Sequence, residues 1–200
     1  MYDLDLGVFK MDKYGSLEVI CGPMFAGKTE ELIRRTRRLD FAKKKYLIFK
    51  PSIDNRYMTD CVVSHNKSSM SAVNIDINRP LDMNKFITDD LDAVIIDEVQ
   101  FFNEDVITLI KDLVKKGFRV ICAGLDLDFK AEPFGVMPYI LAMAEHVTKL
   151  SAICVKCGHD ATRTQRLIDG KPARYDDPVV LVGAVESYEA RCVHCHEVRK

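Results

Sequence analysis

The 200-residue sequence predicts an α/β fold, a mainly parallel sheet with flanking helices, followed by a small zinc-ribbon-like unit. A glycine-rich loop at residues 22–29 lies between an apolar run and a helical pattern. Apolar strand-like runs then alternate with helical patterns up to about residue 150, and two Cys-x-x-Cys pairs follow near the C-terminus. These three observations divide the chain into an N-terminal arm (1–14), an α/β unit (15–150) and a zinc-binding unit (151–200).

The glycine-rich loop has the complete pattern G-x-x-x-x-G-K-[ST] of a P-loop. An apolar run at 17–21 precedes it and a helical pattern follows it, which is the context that the motif requires. Glycines let the backbone N–H groups point at phosphate oxygens, and the N-terminus of the next helix adds partial positive charge. The pattern therefore predicts a nucleoside triphosphate bound by Gly22, Pro23, Met24, Phe25, Ala26, Gly27, Lys28 and Thr29, as in P-loop NTPases. Lys28 is expected to reach the β- and γ-phosphates, and the Thr29 hydroxyl to ligate Mg²⁺.

Helical and strand patterns alternate after this loop. A helix from Thr29 to about Lys45 has one apolar face, and its arginine run at 34–38 is interpreted as a solvated face supported by i,i+4 glutamates. A strand at 46–50 is expected to end at Pro51, and residues 51–80 are irregular apart from one possible strand at 62–63. The remaining predicted elements are a strand at 93–96, a helix at 104–116, a strand at 119–125, a helix opened by Pro138 and a strand at 147–153.

Two carboxylates, Asp97 and Glu98, directly follow the apolar strand at 93–96. An aspartate in this position can hold the hydration shell of Mg²⁺, and a neighbouring glutamate can polarise the attacking nucleophile. The residues alone leave open whether that nucleophile is water, as in an ATPase, or a substrate hydroxyl, as in a kinase.

Four of the seven cysteines form a C-x₂-C…C-x₂-C set: Cys154, Cys157, Cys192 and Cys195. Each pair can present two thiolates to one tetrahedral ion, so the set predicts a structural zinc site with no open coordination position. The 34 residues between Cys157 and Cys192 exceed a usual ribbon spacing, which suggests that zinc fixes the base of a working loop. Cys21, Cys61 and Cys122 are interpreted as buried small hydrophobes.

The apolar segment 178–183 and the nearby Tyr188 lie between the two cysteine pairs. Their spacing alone favours an ordinary strand of the small unit. A lid over a substrate is the alternative.

Composition and charge favour small-molecule chemistry. The net charge is -1 and the pI about 6.5, so the chain has no global attraction for nucleic acid or an anionic membrane. No apolar stretch approaches the ~20 residues of a membrane span, and the polar N-terminus is not a signal peptide. We expect a cytoplasmic protein with neither a nucleic-acid nor a membrane partner.

Four strings, GPMFAGKT at 22–29, DEVQFF at 97–102, GLDLDF at 124–129 and EPFG at 132–135, precede the four cysteines in this order. Together they resemble the zinc-containing thymidine kinases of many bacteria and of the animal cytosol, from about Gly15 to Cys195. Ala26 and Val99 depart from the family pattern. The resemblance implies transfer of the ATP γ-phosphoryl group to the 5'-hydroxyl of thymidine or deoxyuridine, for pyrimidine deoxynucleoside salvage. It also implies a homotetramer that is feedback-inhibited by thymidine triphosphate.

The resemblance also implies roles for individual residues. Glu98 is the general base, Lys28 and Arg56 act on the transferring phosphate, Thr29 and Asp97 hold Mg²⁺, and Asp54 supports that metal. The positions expected to surround the thymine ring are Met24, Phe101, Leu125, Phe129 and Thr164. A lasso loop is expected to grip the base with backbone groups and is formed by Val179, Val180, Leu181, Val182 and Gly183, and Tyr188 is expected to pack on the nucleoside. This implication reverses the preference for an ordinary strand at 178–183.

Two other functions fit parts of the sequence. A nucleic-acid-dependent ATPase with a zinc ribbon is disfavoured because residues 151–200 hold eight Lys or Arg against seven Asp or Glu, a poor footprint for a phosphate backbone. A non-catalytic zinc-stapled binding module leaves Lys28, Thr29, Asp97 and Glu98 unexplained.

Overall fold

A computed structural model describes residues 14–52, 61–63, 69–180 and 186–200. Its main sheet has six strands in the order β5-β2-β6-β7-β1-β8, and every neighbouring pair is parallel. The elements up to residue 149 are β1 (Ser16–Cys21), α1 (Lys28–Phe41), β2 (Tyr46–Ser52), β3 (Cys61–Val63), β4 (Ser69–Ser71), β5 (Val73–Asp76), β6 (Ala93–Ile96), α2 (Asp105–Lys115), β7 (Arg119–Gly124), α3 (Met137–Met143) and β8 (His146–Lys149). Short 3₁₀ helices cover Pro80–Lys85 and Val99–Phe101.

Helices cover both faces of this sheet, which confirms the predicted α/β fold. Along β1, Val19 and Cys21 belong to the same buried cluster as α2 and α3, while Ile20 packs with Leu32 of α1. Burial on both faces explains why β1, β6 and β7 have mainly apolar sequences. Cys21 and Cys122 are core residues, as expected.

Smaller sheets follow β8 in the C-terminal part. Their strands are β9 (Ala152–Ile153), β10 (Asp160–Ala161), β11 (Arg163–Ile168), β12 (Lys171–Pro172) and β13 (Glu186–Arg191). β9 pairs with β10, and β11 lies between β12 and β13 in an antiparallel sheet. The single strand predicted at 147–153 is therefore wrong: β8 completes the parallel sheet beside β1, and β9 belongs to the C-terminal part.

Two predicted boundaries also differ from the structure. β2 continues through Pro51 to Ser52, because β6 pairs with it only as far as Phe49 and Pro51 has a strand on one side only. α1 ends at Phe41 and not near Lys45, because Lys43 adopts a left-handed conformation with φ 53°. No glycine marks this turn, so the sequence carries no clear stop signal there.

The interpretation of the α1 arginine run as fully solvated is wrong for one residue. Arg34, Arg37 and Arg38 are exposed, but Arg35 is buried and its guanidinium lies 2.7 Å from the Glu18 carboxylate of β1. Glu18 lies on the strand beneath the helix, so Arg35 pairs inward as well as with Glu31. Within the described ranges, no helix has the length and apolarity needed to cross a membrane.

Candidate active site

The P-loop connects the end of β1 to the start of α1. Gly22 has φ 141°, and a Cβ there would lie 2.4 Å from the Leu150 carbonyl oxygen, so only glycine fits. Gly27 is left-handed at the N-cap of α1, with φ 82°. The loop and the first turn of α1 therefore offer backbone N–H groups beside a helix N-terminus, as an anion site requires.

Lys28, the first residue of α1, is buried beneath this loop. Its Nζ donates a 2.7 Å hydrogen bond to the Pro23 carbonyl. Burial lowers the pKa of Lys28, and the negative charges of Glu98 and Asp97 oppose that shift. A buried ammonium facing these carboxylates is in position to hold a phosphate group.

Asp97 and Glu98 follow β6 at the carboxyl edge of the sheet, next to the loop. Asp97 is buried, and its Oδ1 accepts a 3.0 Å hydrogen bond from the Glu98 N–H. Burial, and then the charge of Glu98, raise the pKa of Asp97. A cation bound here would favour the ionised form of Asp97, so the acidic pair fits a divalent metal.

Gln100 fixes the Glu98 carboxylate. Glu98 is left-handed, with φ 50°, and its Oε2 accepts a 2.5 Å hydrogen bond from Gln100 Nε2. Gln100 Oε1 in turn accepts from the Leu125 N–H at 3.2 Å. The backbone of β7 also approaches this amide closely at Gly124. A Cβ added there would lie only 2.2 Å from Gln100 Oε1, so a side chain at position 124 would displace Gln100.

A cavity of about 320 Å³ lies beside these groups. The ammonium of Lys28 and the carboxylate of Glu98 both border this cavity, and the rest of its wall is mainly apolar. Its lining residues are Met24, Lys28, Glu98, Phe101, Leu125, Asp128, Phe129, Phe134, Thr164, Val179, Val180 and Tyr188. A cavity with an apolar wall and a few polar groups is the usual form of a small-molecule site.

Every described residue that the sequence assigned to the thymine pocket, the lasso loop or the nucleoside aromatic lines this cavity. Asp54, Arg56, Leu181, Val182 and Gly183 lie outside the described residues, so those predictions have no geometry here. The cavity also includes two residues that the sequence reasoning missed, Asp128 and Phe134. Asp128 lies in the string at 124–129 and Phe134 in the string at 132–135. Their presence in these family strings was the signal that could have identified them as site residues.

Asp128 and Phe134 follow β7 in sequence and add a buried carboxylate and an aromatic ring to the cavity lining. Asp128 is buried, and its Oδ1 accepts hydrogen bonds from the backbone N–H groups of Lys130 and Glu132, at 2.8 and 3.1 Å. The Phe134 ring packs edge-on against Phe101, with centroids 5.4 Å apart. The carboxylate thus holds the turn, and the aromatic pair forms a rigid apolar wall.

The C-terminal sheet contacts the P-loop directly through Thr164. Its Oγ1 accepts a 3.0 Å hydrogen bond from the Met24 N–H. Thr164 pairs with Ala190 and Arg166 pairs with Tyr188 across β11 and β13. Thr164 therefore connects the P-loop with the sheet that carries Tyr188.

The four cysteines of the two Cys-x-x-Cys pairs lie close together in the C-terminal part. Their Sγ atoms all lie within 4.8 Å of one another, and those of Cys157 and Cys192 are 3.6 Å apart. A tetrahedral zinc with Zn–S distances of about 2.3 Å needs sulfur atoms about 3.8 Å apart. The four thiols therefore fit zinc, and they would fill its coordination shell without an open position.

A comparison with protein-family models matches residues 15–196 of this chain to the family described as thymidine kinase. The matched range covers most of the chain and contains the P-loop, the acidic pair, the cavity and all four cysteines.

Proposed function

This chain belongs to the thymidine kinase family, and on that premise we propose that it transfers the γ-phosphoryl group of ATP to the 5'-hydroxyl of thymidine and of deoxyuridine. The observation that carries this proposal is the shared cavity of Lys28, Glu98 and the apolar residues from both parts of the chain. A water-using ATPase has no need for an aromatic wall next to its base. A nucleoside needs both the wall and the base.

In the proposed reaction, Glu98 accepts the proton of the 5'-hydroxyl as the oxygen attacks the γ-phosphorus. The new P–O bond forms while the bond to the bridging β,γ-oxygen breaks, and ADP leaves with that electron pair. Lys28 balances the charge on the β- and γ-phosphates, and Gln100 holds one oxygen of the Glu98 carboxylate. We propose that Arg56 also acts on the transferring phosphate.

Mg²⁺ would supply charge neutralisation on the phosphates. We propose that the Thr29 hydroxyl and the Asp97 carboxylate hold it, with Asp54 behind them. The buried, raised-pKa carboxyl of Asp97 next to Glu98 supports this assignment, because a nearby cation would offset both burial and repulsion.

We propose that the nucleoside base lies between Met24, Phe129 and Thr164, beneath a lasso loop of residues 179–183. Val179 and Val180, the two described residues of that loop, line the same cavity, which supports this position. A pocket shaped around one pyrimidine would refuse purines, because it has no room for a second ring and its buried polar groups would lose their partners.

Zinc would act only as a structural ion. Through its four cysteine ligands it would join the segments that precede and follow the lasso loop. Within this proposal, residues 15–150 form the ATP-binding unit and residues 151–200 the acceptor unit. Three further parts of the proposal rest on family membership alone. They are a role in cytoplasmic pyrimidine salvage, a homotetrameric assembly and feedback inhibition by thymidine triphosphate.

Radiolabelled ATP with and without thymidine tests the reaction directly. We expect thymidine monophosphate to form with Mg²⁺-ATP, and little hydrolysis of ATP when nucleoside is omitted. Deoxyuridine should also be phosphorylated, whereas deoxyadenosine and deoxyguanosine should not. Equal ATP consumption with and without nucleoside would contradict the proposal and favour an ATPase.

Hydrogen exchange tests the lasso loop separately. Residues 178–190 should become protected when thymidine or its triphosphate binds, because a surface loop is ordered mainly by the ligand it covers. Unchanged exchange at saturating ligand would mean that the segment is an ordinary strand and that Tyr188 has no role in binding.

A further inference from the structure

Arg166 is a charged residue in the C-terminal sheet that the proposed mechanism does not use. It lies on β11, two residues after Thr164, and so on the same face of the strand as a residue of the cavity wall. Its relative exposure is 0%, so its guanidinium is fully buried. Burial of an ion is costly unless neighbouring groups compensate for lost water, so the groups around Arg166 indicate why the charge is kept.

The guanidinium contacts the segment that leads into the lasso loop. Nη1 donates a 2.7 Å hydrogen bond to the Pro178 carbonyl and a longer one, 3.4 Å, to the Val179 carbonyl. The Asp177 carboxylate lies 3.9 Å from Nη2. Arg166 thus holds the backbone immediately before and at the start of the loop.

The same guanidinium also stacks on the aromatic wall of the cavity. Its central carbon lies 3.8 Å from the centroid of the Phe129 ring, a short cation–π contact. The backbone carbonyl of Phe129 is hydrogen-bonded to His196 Nε2 at 2.9 Å. Two residues of the C-terminal part therefore contact Phe129: Arg166 at its ring and His196 at its backbone carbonyl.

We propose that Arg166 is a positioning residue that joins Pro178 and Val179, at the start of the lasso loop, to Phe129, so that this backbone and the aromatic wall adopt their nucleoside-binding positions together. This inference rests on the proposed function, in which both elements bind the acceptor. A planar guanidinium can donate hydrogen bonds in its plane while its face stacks on a ring, whereas a lysine ammonium has no planar face to stack.

Arg166→Lys tests this role because it keeps the charge and removes the planar stack. We expect the KM for thymidine to rise about 10-fold or more, with a smaller change in kcat and a change of about twofold or less in the KM for ATP. The matched control is Arg163→Lys on the same strand, since Arg163 donates only to its neighbour Thr162 in the described hydrogen bonds. This control should keep wild-type constants.

A double-mutant cycle with Phe129→Leu separates coupling from simple loss of stability. If Arg166 acts through Phe129, the rise in the thymidine KM of the double variant should be smaller than the product of the two single rises. Multiplicative effects, or an Arg166→Lys enzyme with an unchanged thymidine KM, would overturn the inference.

Phe129→Leu alone gives a second test if Arg166→Lys does not fold. It leaves the buried charge in place and removes only its aromatic partner. Exchange of the amide hydrogens of Val179 and Val180 should then increase in the ligand-free protein, although Phe129 is distant in sequence. Unchanged exchange would contradict the coupling. A wild-type protein that makes no thymidine monophosphate would instead contradict the proposed function, so the two failures are distinguishable.

Discussion

The proposed phosphate site is built from residues that are close in sequence, whereas the proposed nucleoside site combines residues from segments that are far apart. Residues 22–29 form one continuous segment that joins β1 to the first turn of α1, and Asp97 and Glu98 follow one strand of the main sheet. The proposed nucleoside site combines Met24, Phe101, Leu125, Asp128, Phe129, Phe134, Thr164, Val179, Val180 and Tyr188. Its shape therefore depends on how the C-terminal part docks on the α/β part.

The two parts also differ in what stabilises them. The larger buried cluster of the main sheet contains aliphatic side chains from β1, β6, β7, α2 and α3, together with the aromatic rings of Phe49, Phe102 and Phe118. The buried hydrophobic cluster of the C-terminal sheets consists of Ala152, Cys154, Ala161, Ala190 and Cys192. Such small side chains contribute little hydrophobic stabilisation, so we expect the C-terminal part to depend on zinc and the main sheet not to.

Replacement of Glu98 by Gln should have the largest effect and should be confined to the chemical step. The side chain keeps its size and can still hydrogen-bond, but it no longer accepts the proton of the 5'-hydroxyl. Loss of a general base costs on the order of 10²- to 10⁴-fold in rate, so kcat should fall by this amount with little change in thymidine binding. Glu104→Gln, at the exposed start of α2, is the control and should keep wild-type kcat. A Glu98→Gln enzyme within about threefold of wild type would reject the assignment.

Removal of one zinc ligand should affect the nucleoside side and spare the phosphate side. Cys154→Ser leaves an incomplete shell, so zinc should be lost and the affinity for thymidine should fall about 10-fold or more, while the affinity for ATP changes little. Elemental analysis and titration calorimetry with each ligand measure the two effects. Cys122→Ala, in the main sheet, should lower stability but keep about one zinc per chain. A zinc-free Cys154→Ser protein that binds thymidine like the wild type would show that the C-terminal part folds without metal.

The elements that the sequence predicted well are those with buried faces or local signals. β6 is a continuous apolar run, β1 and β7 are mainly apolar, and the P-loop has its own motif. β5 was missed because its sequence, Val73 to Asp76, mixes polar and apolar residues, as an edge strand allows. The burial of Arg35 depends on Glu18, a residue on another element, so helical periodicity alone could not predict it.

The same distinction applies within the candidate site. The P-loop and the acidic pair were identified from residues and spacing alone. The thymine-pocket positions came only from resemblance to a family, because their meeting depends on tertiary packing. Gln100 and Arg166 were missed, since one hydrogen bond to Leu125 and one stack on Phe129 connect residues that are distant in sequence.

Replacement of Gln100 by Leu should affect both the chemical step and thymidine binding. Both effects should be smaller than those of Glu98→Gln and Cys154→Ser. The change keeps the approximate volume of the side chain and removes its hydrogen bonds to Glu98 and to the Leu125 N–H. A buried polar group without a partner costs about 1–3 kcal/mol, so we expect kcat to fall on the order of 10-fold with a modest rise in the thymidine KM. Gln165→Leu is a matched control, because Gln165 is also buried and holds the backbone of Glu197 through both ends of its amide. It should lower stability and leave kcat near wild type. Unchanged kinetics for Gln100→Leu would mean that Glu98 needs no such support.

Glu18→Gln should have the smallest effect on catalysis, since it acts on the framework far from the cavity. Glu18 lies towards the amino-terminal end of β1, with its two carboxylate oxygens 2.7 Å from Arg35 Nη1 and 2.6 Å from Arg119 Nε. Burial alone would raise the pKa of Glu18, but hydrogen bonds and charge from Arg119 and Arg35 hold it below its ordinary value of 4.5.

A carboxylate with a lowered pKa in the folded state stabilises the protein above its unfolded pKa and loses that contribution as pH falls through the folded value. The ion pairs should therefore contribute fully at pH 7 and progressively less below pH 4.5. We expect Glu18→Gln to lower the free energy of unfolding by about 1–3 kcal/mol at pH 7, because it removes the carboxylate that Arg35 and Arg119 share and leaves Arg35 with Glu31 alone. The difference from wild type should shrink in urea titrations below pH 4.5, while the KM values for ATP and thymidine stay unchanged at pH 7. A difference that is constant with pH would mean that the charge of Glu18 contributes nothing, and that packing alone supports this end of the sheet.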